Sequence, residues 1–353
     1  MKPHESISYL LFLFLGIQFS TGSITASYMN PDEPGPLFET NEPLSLTLTM
    51  DIREVIGDTD DEQNQYPAEI SYGSPGGDTI VVPLQIRTRG HFRKNPINCD
   101  FPPLRLNFST VSAKNSIFEG QDKLKLVTHC RSRGTQYEQN VLDEYLAYRL
   151  YNLFTEESYR VRLVELTYAD SDGKKDTLRK MAILIESAEQ MALRNKSNYI
   201  EVKNVQQNKC DRQKTSVLSV FQYMIGNTDW SVPVPHNIDL LQKQPGIDPV
   251  AVPYDFDWCG MVDAPYAFPA ENLGIDNVRT RVFRGYCRTS DEFELVFQEF
   301  RNKKDEIFNT IESVPHLNDR ELEKVKKYIG QFYKILDNPK SVKNEFYNKC
   351  RTD

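Results

Sequence analysis

The chain has 353 residues, with 42 Lys and Arg against 50 Asp and Glu and a formal charge of −8. That balance excludes a nucleic-acid binder relying on bulk positive charge, so no nucleic-acid partner is expected. Hydrophobic residues at 39% and charged residues at 26% exclude a disordered or fibrous chain, and the length is enough for a sizeable core.

The strongly apolar stretch Tyr9 to Phe19 (YLLFLFLGIQF) comes first, followed by small residues through Ser20, Gly22 and Ala26. It is shorter than the roughly 20 residues a spanning helix needs, which predicts a signal peptide over 1–26. An uncleaved anchor is the alternative, because Glu5 offsets Lys2 near the N-terminus. Export implies a secreted or periplasmic protein with no stable membrane span after cleavage. The cysteines are Cys99, Cys130, Cys210, Cys259, Cys287 and Cys350, and no C-x-x-C pair suggests a zinc ribbon. Behind an export signal they predict disulfides, with Cys99–Cys130 and Cys259–Cys287 as the preferred pairing.

Leu44 to Met50 (LSLTLTM) alternates as a strand, Thr79 to Arg87 is β-branched, and Leu104 to Phe108 and Leu124 to Val127 read as further strands. From Tyr137 to Phe154 the period lengthens, with Val141, Leu142, Tyr145, Leu146, Leu150 and Leu153 predicting an amphipathic helix. Two strands follow, Arg160 to Tyr168 and Lys180 to Ile185, joined by a polar turn at Asp170 to Gly173. After Ser187 the pattern turns helical, and Ser216 to Ile225 is stopped by Gly226. The reading is an α+β chain: signal peptide 1–26, a β-rich lobe 27–187 and a mainly helical lobe 188–353.

The chemistry concentrates between Gly226 and Gly260. Asn237 to Gln242 and Val250 to Phe256 read as a hairpin across a turn with Pro245 and Gly246. Setting Gln242 opposite Val250 puts Asn237 opposite Asp255, with Asp255 and Asp257 on one strand face. Two carboxylates side by side repel unless a cation, or solvent, lies between them, and hard oxygen ligands suit Mg²⁺ or Mn²⁺. Asp229, in the loop after the preceding helix, is the candidate base. His236 is expected to hydrogen-bond within that loop, and Trp230 and Trp258 to pack beside the site.

The order Gly226-Asn-Thr-Asp229, His236-Asn237 and Tyr254-Asp-Phe-Asp257, with Arg87-Thr-Arg-Gly90 upstream, resembles the CotH-like (spore coat protein H) atypical protein kinases and, more distantly, HipA-type kinases. The resemblance runs over roughly Leu84 to Asp257 at the level of motif order. It implies a two-lobed protein-kinase-like fold with a β-rich N-terminal lobe and a mainly helical C-terminal lobe. It further implies ATP as donor and a protein or cell-surface acceptor. Carried over by position, Asp229 is the catalytic base, Asn237 and Asp255 are metal ligands, and Asp257 is a second ligand or a support. Lys125 and Glu144 form the ion pair that steadies the phosphates, and Glu186 lies near the hinge, while Arg87 and Arg89 are candidates to contact phosphate in place of a Gly-rich loop. Lys123 and Arg105 compete with Lys125. The Asp229 to Asn237 spacing is longer than the H-R-D-x-x-x-x-N pattern, and no G-x-G-x-x-G loop is present. Two other readings stay open: a catalytically silent kinase-like module of the cell envelope, and a divalent-cation-dependent carbohydrate or surface binder.

Overall fold

The computed structural model describes residues 35–60, 62 and 64–352, so the expected signal peptide and its anchor alternative lie outside the described residues. β1 (Leu44–Met50), a short helix α1 (Ile52–Gly57), β2 (Tyr66–Gly73), β3 (Thr79–Thr88), β4 (Leu104–Asn107) and β5 (Lys123–Val127) lead into α2 (Gln136–Asn152). β6 (Val161–Asp170) and β7 (Leu178–Ile185) follow. These seven strands form a closed barrel in the order β1-β2-β3-β4-β5-β7-β6, sealed by parallel pairing of β1 with β6. Then come α3 (Ala188–Arg194), β8 (Asn198–Ile200), α4 (Arg212–Ile225), β9 (Ile238–Gln242) and β10 (Val250–Pro253), and finally α5 (Ser290–Asn302), α6 (Lys304–Glu312) and α7 (Asp319–Leu336). β8, β9 and β10 make a separate antiparallel sheet in the order β10-β9-β8.

This architecture corrects the expected two-lobed kinase-like fold. The strands before residue 187 close on themselves, and the half read as mainly helical carries its own sheet. Closure needs Leu44 opposite Val164, a long-range pairing that local alternation does not encode. The sequence reading also passed over β2, α1 and β8.

The barrel wall shared by β6 and β7 explains the unbroken apolar run Met181 to Ile185. Ala182 and Leu184 point into the barrel with Leu48, Ile86 and Leu106, whereas Met181, Ile183 and Ile185 point outward onto a second core. α2 crosses that second core and is buried nearly all round, not on one stripe as expected. Its Asp143 and Glu144 are therefore interior groups.

Cys99 and Cys130 are bonded as expected. The second expected pairing is corrected: Cys287 bonds Cys350, and Cys259 is a buried free thiol, as is Cys210. Main-chain bonds from Cys287 to Arg351 and from Arg351 to Gly285 bring the C-terminal end alongside Cys287, while Cys259 is enclosed in the second core. Two disulfides fit an oxidising, extracellular environment. Among the described residues no helix is long and apolar enough to cross a membrane.

Candidate functional site

α4 is capped at its start by Asp211, whose side chain accepts from the Lys214 N–H, and is stopped by Gly226, which takes a left-handed conformation (φ 68°). The turn that follows is fixed from within, as Asn227 Oδ1 accepts from the Asp229 N–H at 2.9 Å. The Asp229 carboxylate is then held on both oxygens. Oδ1 lies 2.8 Å from His236 Nε2, and Oδ2 accepts from Asn237 Nδ2 at 3.0 Å. The same amide nitrogen also reaches the Asp229 carbonyl at 2.9 Å. The long spacing between Asp229 and Asn237 is absorbed by a bridged loop, in which Ser231 and His236 exchange both main-chain hydrogen bonds. His236 bonds within its loop as expected, and that bond raises its pKa above the ordinary histidine value.

The hairpin register differs by one residue from the expected one. Val250 pairs with Leu241 and Pro253 with Ile238, so Asn237 faces Tyr254, whose N–H donates to the Asn237 carbonyl at 3.1 Å. β10 stops at Pro253 with all four residues buried, so Asp255 and Asp257 share no strand face. Asn237 (φ 52°) and Asp255 (φ 59°) are both left-handed, a conformation that ends extended pairing and that Asn and Asp tolerate best. Asp255 is anchored by its N–H, which donates to the Tyr148 hydroxyl of α2 at 2.8 Å.

Asp257 lies deeper, accepting from the Tyr266 hydroxyl at 3.0 Å with Arg93 Nη1 at 3.9 Å. Burial first, and then the neighbouring charge of Asp255, push its carboxyl up to about 7. Glu144 is 2% exposed, and its Oε1 has no hydrogen-bond partner. Burial, followed by Asp257 and Asp255, holds its carboxyl well above the usual range.

Glu144 and Lys125 are turned to different partners, so their expected ion pair is not formed. Glu144 feels Arg93 and Arg89, whereas the Lys125 ammonium sits 4.1 Å from the Tyr254 ring centroid. Burial, then repulsion by Arg89, lowers the Lys125 pKa. Arg105, read as a competitor of Lys125, instead stands in a row with it: Arg87 is opposite Arg105 on β3 and β4, and Arg105 opposite Lys125 on β4 and β5. Like charges directly across strands repel, so this row suits an anion. Lys123 is outside the row, in an exposed pair with Asp122 at the edge of the same cavity. Arg89, just past β3, keeps a buried Nε with no partner. The Glu186 carboxylate is engaged by Arg194 and by the Arg160 N–H, and its side chain is fully enclosed.

A cavity of about 480 Å³ opens beside this row, lined by Arg105, Lys125, Glu186, Tyr199, Asp239 and Tyr254 among others. Among the described residues no three His, Cys, Asp or Glu side chains converge as a self-sufficient metal cage. A phosphate-bound Mg²⁺ needs less, one or two protein oxygens with phosphate and water completing the shell. Asn237 Oδ1, whose amide nitrogen is committed to Asp229, and the Asp255 carboxylate are donors of that kind.

Sequence reasoning missed Arg93, Tyr148, Tyr266 and Asp239, which come from four separate elements or loops. Only the proximity of Arg93 to Arg87-Thr-Arg-Gly90 marked any of them. No family model, no characterised protein and no solved structure matches this chain.

Proposed function

We propose that the protein is a divalent-metal-dependent phosphotransferase of an oxidising compartment, passing the terminal phosphate of ATP to a hydroxyl of a protein or cell-surface acceptor. The likeness to CotH-like kinases led to the reading. One observation carries it: the cation row Arg87, Arg105, Lys125 meets the Asp229, Asn237 and Asp255 end of the hairpin where Lys125 lies on Tyr254, beside a cavity of nucleotide size. Phosphoryl transfer asks a protein mainly for positioning and charge, and these are the two signs of charge it needs.

Asp229 would receive the acceptor hydroxyl. Its carboxylate is a third exposed, and His236 and Asn237 fix its orientation. Asn237 and Asp255 would hold Mg²⁺ or Mn²⁺, which when bound neutralises charge on the nucleotide phosphates. Lys125, Arg105 and Arg89 would bind phosphate oxygens, and the cavity would take the nucleoside.

The test is a thermal-shift and phosphate-transfer assay with Mg²⁺ or Mn²⁺ and ATP. Asp255→Ala is expected to abolish nucleotide stabilisation, whereas Asp229→Ala should keep binding and lose turnover by about a hundredfold or more. A wild-type protein that is neither stabilised by nucleotide with metal nor consumes it sinks the proposal. The separation of Lys125 from Glu144 favours a second reading, a catalytically silent binding module. That reading predicts a metal-independent shift, or none, and no turnover.

A further inference from the structure

Arg93 comes from the segment 89–103 between β3 and β4, a length of connection usually mobile at a protein surface. Here the arginine is 9% exposed and reaches inward. Its Nη2 donates to the Thr128 carbonyl, Nη1 stands 3.9 Å from Asp257 Oδ2, and the guanidinium carbon is 5.8 Å from the Tyr266 ring centroid. Tyr266 binds the same Asp257 oxygen, so that carboxylate is clamped between a phenol and a cation.

What holds the segment inward is equally specific. The Cys99–Cys130 disulfide ties it to the end of β5, two residues from the Thr128 carbonyl that Arg93 uses. The Phe101 N–H donates to the Cys130 carbonyl at 3.2 Å, Thr128 Oγ1 to the Pro102 carbonyl at 3.0 Å, and Arg131 to the Ile97 carbonyl at 2.8 Å. Phe92 packs edge-on against Trp258, next to Asp257.

We infer that Arg93 is a positioning residue for the Asp255 and Asp257 segment, set in place by the Cys99–Cys130 disulfide, and that it arranges this segment to receive a divalent ion. The metal-binding half rests on the phosphotransfer reading; the ordering of the segment does not. A guanidinium among Glu144, Asp255 and Asp257 offsets their mutual repulsion and fixes Asp257, and through it the chain two residues upstream.

The experiment uses the full chain with its disulfides formed. It compares wild type, Arg93→Gln, Arg93→Lys, the pair Cys99→Ser with Cys130→Ser, that pair combined with Arg93→Gln, and a control pair Cys287→Ser with Cys350→Ser. Amide hydrogen exchange across Tyr254 to Trp258 is followed without ligand, and Mn²⁺ affinity is measured with ATP present. Exchange is expected to quicken, and Mn²⁺ binding to weaken by about 10- to 100-fold, in Arg93→Gln and in the Cys99/Cys130 pair. Arg93→Lys should fall between, because it keeps the charge but loses the fork. The combined variant should be no worse than Arg93→Gln alone, since both changes remove one interaction. The control pair should leave the segment unchanged. A folded Cys99/Cys130 variant with wild-type exchange and affinity overturns the inference, as does full additivity in the combined variant. If wild type itself does not bind Mn²⁺ with ATP, the phosphotransfer reading falls, and the exchange result still decides the role of Arg93.

Discussion

Gly260 joins the two segments that carry the acids. Its N–H donates to the Gly226 carbonyl at 3.0 Å, so the end of α4 and the chain after Asp257 touch main chain to main chain. A Cβ at Gly260 would stand 2.5 Å from the Val278 carbonyl oxygen and 2.8 Å from Arg279 Cα, atoms that cannot swing aside. Gly274 is the natural comparison: its φ is 62°, but a Cβ there would meet nothing within 4 Å. Gly260→Ala is therefore expected to lower stability by about 3 kcal/mol or more through overpacking, and Gly274→Ala by only about 1 kcal/mol through backbone strain. Urea midpoints of the two variants would check the order, and equal midpoints would contradict it.

α2 links the barrel to the hairpin at the scale of elements. Tyr148 on this helix offers its hydroxyl to the Asp255 N–H, the bond that holds Asp255 left-handed. Tyr148→Phe keeps the ring against Phe256 but leaves that N–H unsatisfied. The expected loss is about 1–3 kcal/mol in denaturant unfolding, together with weaker Mn²⁺ binding in the presence of ATP. Unchanged values for both would show that Asp255 is held by other contacts. Individual elements are largely legible in the sequence, because alternation and a longer apolar period are local properties. The pattern of β1 marks its observed ends, Leu44–Met50, and that of α2 comes within about two residues. The hairpin is legible but its register is not. A turn of several residues between Gln242 and Val250 allows neighbouring pairings, and the choice is made by left-handed Asn237 and Asp255, which no apolar pattern records. Asp229, Asn237 and Asp255 are readable as a set because chain order brings them close. Arg93 and Tyr148 reach the site from remote parts of the chain, and only the fold brings them together.

Across the whole molecule, the interior is intolerant of acid at a point far from any bulk-charge argument. His129 is fully buried, with neither ring nitrogen hydrogen-bonded, against Phe101 and Tyr168 at centroid distances of 4.6 Å and 5.8 Å. Burial, and then the charges of Lys180 and Arg93, push its pKa from 6.5 down to about 3. Between those values the unfolded chain binds a proton there that the folded chain refuses. The stability is thus complete above pH 6.5 and declines as pH falls toward 3, with a slope approaching about 1.4 kcal/mol per pH unit from this group. His129→Phe should flatten that acid limb in unfolding measurements from pH 7 to pH 4, and an unchanged slope would assign the acid sensitivity to other groups.

The seam between β1 and β6 also sets an order of events during synthesis. Ser45 and Glu165, partners across it, are 120 residues apart, so β1 waits with one open edge while four strands and two helices are made. An unpaired strand is where a nascent chain pairs wrongly or aggregates. The barrel consequently closes late, and a chain halted before Val161 has no native partner for that edge of β1.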